Sequence, residues 1–449
     1  MTEKHLHPVA VLHVLRKTLL VYLLPLVRLL FARDWAALVS ILWQELALFG
    51  VLFAASYAAY RACRWEVRSG QVVHLCWRLG IRLDRVLRGE ELAALVIERP
   101  LWYRVLGASR ITLYPAGQQK TMSLSLSQQD AAWLADQLLP LHEPVFHKPK
   151  GGEKLAFTVL GANGLSTLAL LFLALHQDPL YTPQASHFAL AHLSRIAQFI
   201  ARWLPVGAAW LLVLMGGLFT LSLLRSTAQA AHYMVWRTET QLGSRGGLLH
   251  GYEMRLRRSE LSCADLRRSP ATGLLRFCPV YVTAGCCQPE MPLFVWREGS
   301  PLLHELLPDH LLPPDDPVDT DHRSLIFFLP AGIPCGLCLI LCIVSCRVLP
   351  ALTLSLLILT GFFTALLAAA VVGYFNEDIH WQGGRIVLRR QHHFHLHCVC
   401  VFHPKTCLTI SQSPWAVLRQ RANVTVTLPG KVRYKIRSVP LRELRSLEE

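Results

Sequence analysis

The fold of this chain is encoded most clearly in residues 96–117, which read VIERPLWYRVLGASRITLYPAG. An apolar run of β-forming residues ends at Pro100, and about ten residues later a second strand, Ile111-Thr-Leu, leads to a turn at Gly117. Proline and glycine interrupt strands, and alternation of apolar and polar residues is typical of a half-buried strand. The segment therefore predicts two β-strands separated by a proline.

The same landmarks occur twice more, with Pro270 before Val280-Tyr-Val and Pro414 before Val424-Thr-Val. Every copy also has a glycine turn upstream and a serine-opened, leucine-bearing helix at its end. The glycine turns are Gly70-Gln-Val-Val, Gly246-Gly-Leu-Leu and Gly384-Arg-Ile-Val, the strands are followed by Gly117, Gly285 and Gly430, and the serines are Ser127, Ser300 and Ser438. This repeat predicts three equivalent β-rich domains, each with a helix that covers one end of two small sheets.

Apolar blocks come before each domain in pairs. The chain is 53% hydrophobic and 17% charged, which indicates a mixture of membrane and soluble parts. Each block has about 18 residues or more, long enough for a helix to cross a bilayer. The six blocks are 10–31, 35–60, 156–175, 203–224, 325–346 and 350–373.

The first pair of blocks contains Arg28 and Glu45. These charges leave two interpretations open, a hairpin whose charged side chains extend to the headgroups and an interfacial helix at 35–45.

The sequence thus predicts a multi-span α-helical membrane protein, with six spans in three hairpins and three β-rich domains. Two spans per unit return the chain to the same side, so the domains and both termini share one compartment. Domain 375–449 has 12 Lys and Arg against 5 acidic residues, which places that side in the cytoplasm. The predicted boundaries are hairpins at 1–60, 154–224 and 323–374, domains at 61–153, 225–308 and 375–449, and an acidic, proline-rich linker at 309–322.

These motifs together resemble the bacterial pleckstrin-homology (PH), or membrane-flanked-domain, family, in particular its three-repeat YdbT-like type. The resemblance covers nearly the whole chain and rests on His7-Pro8, on the glycine turns and on residues 96–117. It implies PH-like domains, each with two orthogonal antiparallel sheets capped by a C-terminal helix. It also implies a multi-pass protein of the cell membrane, a companion with a single PH-like domain, and a loose link to envelope protection and resistance to antimicrobial peptides.

Basic clusters are the predicted lipid or partner surface. The net charge of +15 is spread over all the domains and the block edges, without an aromatic-interleaved groove, so we predict no nucleic-acid binding. The alternative for the clusters is ordinary solvated strand polarity. The residues are Arg255, Arg257, Arg258, Arg389, Arg390, Arg433, Lys435 and Arg437.

A histidine row is the one metal-like pattern. On a strand, His393, His395 and His397 share one face, while Cys398 and Cys400 share the other. A half-buried strand with solvated histidines explains this pattern as well, so we predict no metal and no cofactor.

The functional prediction is a non-enzymatic membrane scaffold whose PH-like domains bind protein partners or the inner leaflet. The alternative is a subunit of a transporter or channel, and a homo-oligomer is left open. An enzyme is not predicted, because no paired carboxylates, phosphate loop or nucleophile motif is present.

Overall fold

The computed structural model shows a β-rich chain, with four sheets among the residues that it describes. It describes residues 4–11, 35–68, 70–78, 81–117, 120–160, 195, 198–199, 201–202, 206–268, 272, 276–285, 289–297, 301–312, 328–348, 350–382, 385–392, 395–401, 406–418, 420–428 and 432–441.

The strands are short and mostly consecutive in the sheets. The first sheet has β1 (Lys4–His5), β2 (Arg64–Arg68), β3 (Gln71–Arg78) and β4 (Ile81–Arg88), in this spatial order. The strands of the second sheet are β5 (Leu92–Pro100), β6 (Ala108–Pro115), β7 (Met122–Ser127), β8 (Val145–His147), β9 (Met234–Arg237), β10 (Gln241–Gly246) and β11 (His250–Arg257). Their spatial order is β7-β6-β5-β11-β10-β9-β8.

The other two sheets belong to the second half of the chain. The strands of the third are β12 (Leu261–Arg268), β13 (Phe277–Ala284), β14 (Met291–Arg297), β15 (Asp378–Gln382), β16 (Arg385–His392) and β17 (His395–Val401), in the spatial order β14-β13-β12-β17-β16-β15. The fourth has β18 (Cys407–Ser411), β19 (Arg421–Thr427) and β20 (Arg433–Pro440).

Helices lie between these strands. They are α1 (Trp35–Ala62), α2 (Leu101–Val105), α3 (Gln128–Leu138), α4 (Gly151–Leu160), α5 (Val206–Ala230), α6 (Pro301–Leu306), α7 (Leu329–Val348), α8 (Pro350–Asn376) and α9 (Pro414–Leu418).

Apart from β1 and β8, the strands form six meanders of three, two for each predicted repeat. The first meanders are β2-β3-β4, β9-β10-β11 and β15-β16-β17, and the second are β5-β6-β7, β12-β13-β14 and β18-β19-β20. A 3-10 turn, Gly89–Glu91 or Arg258–Glu260, links the two meanders in the first two repeats.

Contacts divide the chain into two units, and each has its own core. The first unit consists of residues 1–113, 121–236 and 245–255. Its main core joins Trp65 of β2, Leu95 of β5 and Leu124 of β7 to Leu134 of α3. The backbone N–H of Asp130 donates to the Ser127 hydroxyl at 3.1 Å, which caps α3 where the sequence predicts a capping serine.

The second unit consists of residues 114–120, 237–244 and 256–449. Its core packs Leu388 of β16 and Val399 of β17 against Val424 of β19 and Ile436 of β20. The fourth sheet therefore covers one face of the β16-β17 hairpin.

The prediction of six membrane spans in three hairpins is wrong. Among the described residues, one helix, Ser355–Phe375 within α8, is long and apolar enough to cross a membrane. The apolar part of α7, Ala331–Ser345, is shorter than the roughly 20 residues that a hydrocarbon core of about 30 Å requires. A span needs a helix that is both long enough and apolar enough, and among the described helices only Ser355–Phe375 meets both requirements. The prediction of a multi-pass location loses its support for the same reason.

Parts of that prediction lie outside the described residues. These parts are 12–31 of the first block, 161–175 of the third, Arg28, the side chain of Glu45, 313–322 of the linker and the last eight residues of the third closing helix.

The turn between β10 and β11 requires a glycine. Gly247 has a φ of +93°, and a Cβ atom there would lie 2.1 Å from the carbonyl oxygen of His250. The N–H groups of Gly247 and Leu248 donate to the carbonyls of Ala231 and Ala228, at 2.9 and 2.7 Å. The turn thus satisfies carbonyl groups at the C-terminal end of α5 and fixes the hairpin there.

Gly247→Ala is expected to lower the free energy of unfolding by more than about 2 kcal/mol, because the methyl group meets backbone in a left-handed conformation. Thermal melting in detergent measures this. Gly152→Ala is the control, since its Cβ meets no atom within 4 Å. Equal melting temperatures for the two variants would contradict the prediction.

Candidate interaction sites at the strand junctions

Two junctions join strands of consecutive predicted repeats. In the second sheet β5 is adjacent to β11, and in the third sheet β12 is adjacent to β17. Each junction places the first strand of a second meander beside the third strand of the next repeat's first meander. The chain therefore connects its repeats by adding strands at sheet edges.

The register of the β12-β17 junction is antiparallel and regular. It runs from Cys263 opposite Val401 to Arg268 opposite Leu396. Leu261 to Leu266 of β12 are all buried, as are Leu92 to Ile97 of β5. Strands that are covered on both faces and both edges lie at the centre of a sheet, so these two strands are central rather than edge strands.

An arginine fastens the first junction. Arg255 of β11 is buried, and its Nη1 donates to a carboxylate oxygen of Asp136 at 2.7 Å and to the carbonyl of Leu139 at 2.8 Å. Its Nε donates to Glu253 at 2.9 Å. Both Asp136 and Leu139 lie at the end of α3, so this side chain connects β11 to the closing helix of the first repeat.

A second arginine supports the same junction from outside. Arg104 of α2 donates from Nη1 to the carbonyl of Leu248 at 2.8 Å, at the tip of the β10-β11 hairpin. Nε2 of His250 on β11 lies 3.9 Å from a carboxylate oxygen of Glu98 on the adjacent strand β5.

A compact ionic cluster occupies the second junction. The Nδ1 atom of His397 lies 3.0 Å from a carboxylate oxygen of Asp265, which also accepts from Nε of Arg267 at 2.8 Å. Arg267 donates in addition to Glu290 at 2.8 Å, and its guanidinium lies 3.8 Å from the ring centroid of Tyr281. Cation and ring at this distance attract each other.

Electrostatics keep the Asp265 carboxylate charged. Burial alone raises the pKa of Asp265, but the hydrogen bond and charge of His397, together with Arg267, outweigh it and hold the pKa below its usual range. Burial likewise lowers the pKa of Arg267, and the Asp265 carboxylate more than reverses that effect. The phenol of Tyr281 has a raised pKa, chiefly through burial.

Asp265, Tyr281 and Glu290 of the cluster line a small depression, together with Cys263, Thr283, Val432 and Tyr434. His397 and Asp265 face each other across the β12-β17 pair, whereas Arg267 bonds Asp265 within β12 and the Glu290 side chain is 56% exposed. The contact between His397 and Asp265 therefore joins the two strands and favours the observed register.

The predicted basic surface falls into two groups. Arg255 is buried in the first junction, while Arg257, Arg258, Arg389 and Arg390 are half-buried on β11, on the adjoining 3-10 turn and on β16. Burial, and then the charge of Arg237, lowers the pKa of Arg258. These five residues are therefore not an open cationic face.

The other group lies on β20. Arg433, Lys435 and Arg437 are exposed, whereas Ile436 between them is buried. Three cations thus follow one face of an edge strand, and their binding to lipid or protein stays a prediction.

The histidine row is only partly described. His393 and the side chain of His395 lie outside the described residues, and His397 is paired with Asp265. Within the described part of the chain, no group of three or more His, Cys, Asp or Glu side chains is placed to hold a metal ion.

Sequence reasoning missed the junctions. The available signal was the run Leu92-Ala-Ala-Leu-Val-Ile97, which is apolar throughout. A run without polar alternation is typical of a fully buried strand. Asp265 and His397 lie in separate repeats, so no local spacing connects them.

Comparison with protein-family models, with curated proteins and with solved structures finds no match to this chain. The resemblance to bacterial PH proteins and the predicted domain boundaries therefore stay predictions from sequence motifs.

Arg255→Met is expected to lower the free energy of unfolding by about 2 kcal/mol, because the Leu139 carbonyl and Glu253 lose a buried donor. Asp136→Asn is the matched control and should cost less than about 1 kcal/mol, since the Asp136 side chain is 59% exposed. Melting temperatures in detergent compare the two. A stability of Arg255→Met at or above that of the unsubstituted chain would exclude a fastening role.

The lowered pKa of Asp265 predicts a dependence of stability on acid. A carboxyl group whose folded pKa is depressed stabilises the fold above its unfolded pKa of about 4 and loses that contribution as the pH falls through the folded value. Asp265→Asn should therefore melt lower at pH 7, and its melting temperature should fall less steeply below about pH 4 than that of the unsubstituted chain. Parallel pH profiles for the two proteins would contradict this.

Proposed function

We propose that this chain is a non-enzymatic scaffold, attached to a cell membrane, whose β-rich domains bind protein partners. The observation that carries the proposal is the way in which the chain joins its own repeats, by edge-to-edge pairing at β5-β11 and β12-β17. Addition of a strand to an exposed sheet edge is also a common mode of protein recognition.

Attachment to a membrane is supported by α8. Its apolar part, Ser355–Phe375, has the length and composition of a span. Large apolar side chains are exposed along it, among them Leu357, Phe362, Val371 and Phe375. A surface of this kind is disfavoured in water and stabilised in a bilayer.

A cytoplasmic position of the β-rich domains is supported by their thiols. Cys63, Cys263, Cys278, Cys398 and Cys400 are buried and free of disulfides. Buried thiols of this kind are typical of a reducing compartment. The motifs shared with bacterial PH-domain proteins support the same arrangement.

Site-specific photo-crosslinking in cells tests the scaffold function. A photoreactive residue is placed at Val86 on β4 or Ile410 on β18, and at Ile340 on α7 as the control, because all three side chains are exposed. Protein adducts are expected at the two strand positions and should exceed those at Ile340.

Two results together would overturn the proposal. They are the absence of protein adducts at both strand positions and ion conduction by the purified, monodisperse chain in liposomes.

A further inference from the structure

Both junctions pair equivalent strands, and two further strands of the same kinds, β4 and β18, lie at sheet edges. The first strand of a second meander pairs with the third strand of the following first meander. In the third repeat the first strand of the second meander is β18, and in the first repeat the third strand of the first meander is β4. Among the described strands, β4 has β3 as its one neighbour and β18 has β19.

Equivalent positions on the first strands of the second meanders can be identified from the prolines. Val96, Leu266 and Ile410 each lie four residues before a proline, and Leu266 and Ile410 also pair with equivalent valines on the next strand. Val96 and Leu266, in the occupied junctions, are 3% and 5% exposed. Ile410, on β18, is 45% exposed. The third repeat thus presents an aliphatic side chain where the other two bury theirs.

The third strands of the first meanders differ in the same way. Arg255, Val86 and Cys400 hold equivalent positions on β11, β4 and β17. Arg255 and Val86 each lie three residues before a 3-10 turn. Val86 and Cys400 are opposite Val73 and Val387, each of which lies three residues after a turn glycine. Arg255 and Cys400, in the occupied junctions, are 4% and 0% exposed, whereas Val86 on β4 is 50% exposed. Val86 on β4 and Ile410 on β18 are therefore exposed at positions whose equivalents in the two junctions are buried.

The register of the β12-β17 junction can be transferred to the two free strands. Leu266 opposite Cys398 becomes Ile410 opposite Asp84, and Ala264 opposite Cys400 becomes Leu408 opposite Val86. Ile410, Leu408 and Val86 then lie on one face as cross-strand neighbours. The two exposed aliphatic side chains are covered by the same contact.

Charge disfavours the pairing of two copies of β4 and thereby favours its pairing with the uncharged β18. Strand β4 carries Arg82, Arg85 and Arg88 with one acidic residue, so two copies of β4 would place like charges opposite each other. Strand β18 reads Cys-Leu-Thr-Ile-Ser and has no charge.

We propose that copies of this chain associate head to tail, by addition of β18 of one copy to β4 of the next in the register of the β12-β17 junction. The proposal rests on the scaffold function and names a second copy of the chain as one partner. Because the two surfaces differ, the contact is heterologous, and after each addition the assembly still has one open β4 and one open β18. The array within the chain would continue from one molecule to the next.

Disulfide trapping in purified, full-length protein tests the register. Two chains with different affinity tags carry Ile410→Cys and Asp84→Cys, both with Cys407→Ser to remove the exposed native thiol of β18. Mild oxidation of the mixture is expected to link the two tags, with a yield that rises with protein concentration. Arg85→Cys replaces Asp84→Cys in the control, because the next residue along a strand points to the opposite face, and it should link far less.

Light scattering in mild detergent tests the surface itself. Ile410→Glu should weaken self-association by about tenfold or more, since the proposed register places residue 410 directly opposite Asp84 of the next copy, and like charges directly opposite on paired strands repel. Leu418→Glu on α9 is the control, because Leu418 is 78% exposed and lies outside the strand. Melting temperatures of both variants establish that they fold.

Several results would overturn the proposal: no link between the tags at any concentration, a link only between two copies of the Ile410→Cys chain, or a link only within one molecule when both substitutions are in the same chain. The photo-crosslinking test separates this from the scaffold function. Adducts at Val86 and Ile410 that contain other proteins but never a second copy would refute head-to-tail association and leave the scaffold function intact.

Discussion

The pairing of strands at sheet edges is the interaction on which this structure depends. A strand at an edge has backbone N–H and C=O groups on one side that need partners, and a small domain of three-stranded meanders has many such edges. At β5-β11 and β12-β17 the next repeat supplies those partners. The burial of every residue from Leu92 to Ile97 and from Leu261 to Leu266 follows, because a central strand is covered on its faces as well as its edges.

Charged residues set the register at these junctions, and their role differs from that of the apolar core. Replacement of a buried ion pair by apolar residues is often neutral or stabilising, so stability alone does not explain Arg255 or Asp265. An apolar strand, however, tolerates a shift along its neighbour, whereas the contact between Asp265 and His397 joins β12 to β17 and depends on their register. We infer that these charges select one pairing among several that the apolar residues alone would allow.

The sequence was sufficient for the local elements and insufficient for their assembly. The proline and glycine landmarks, the capping Ser127 and the alternation of Arg433, Lys435 and Arg437 are local, because turn chemistry and side-chain period act within a few residues. The junctions join residues such as Asp265 and His397 across more than one hundred positions, and no period or motif reports such a pairing. As a result, the predicted domain 225–308 contributes strands to both the second and the third sheet. The prediction of six spans is wrong for a related reason, since an apolar run in the sequence does not by itself establish a helix that is long and apolar enough to cross a bilayer.

An array of repeats joined by one rule has a problem at its ends. Repeat proteins usually protect the terminal repeats with polar caps, because an uncovered end attracts further copies. Here the protection is unequal. Strand β4 carries three arginines, which oppose pairing with its own kind, while β18 has none of the charged or proline residues that normally block an edge. Symmetric association through β4 is therefore disfavoured, and the pairing that the chain already uses between its repeats remains open. The arginines of β4 and the absence of charge from β18 thus favour head-to-tail contact, in which the uncharged strand of one molecule covers the charged strand of another.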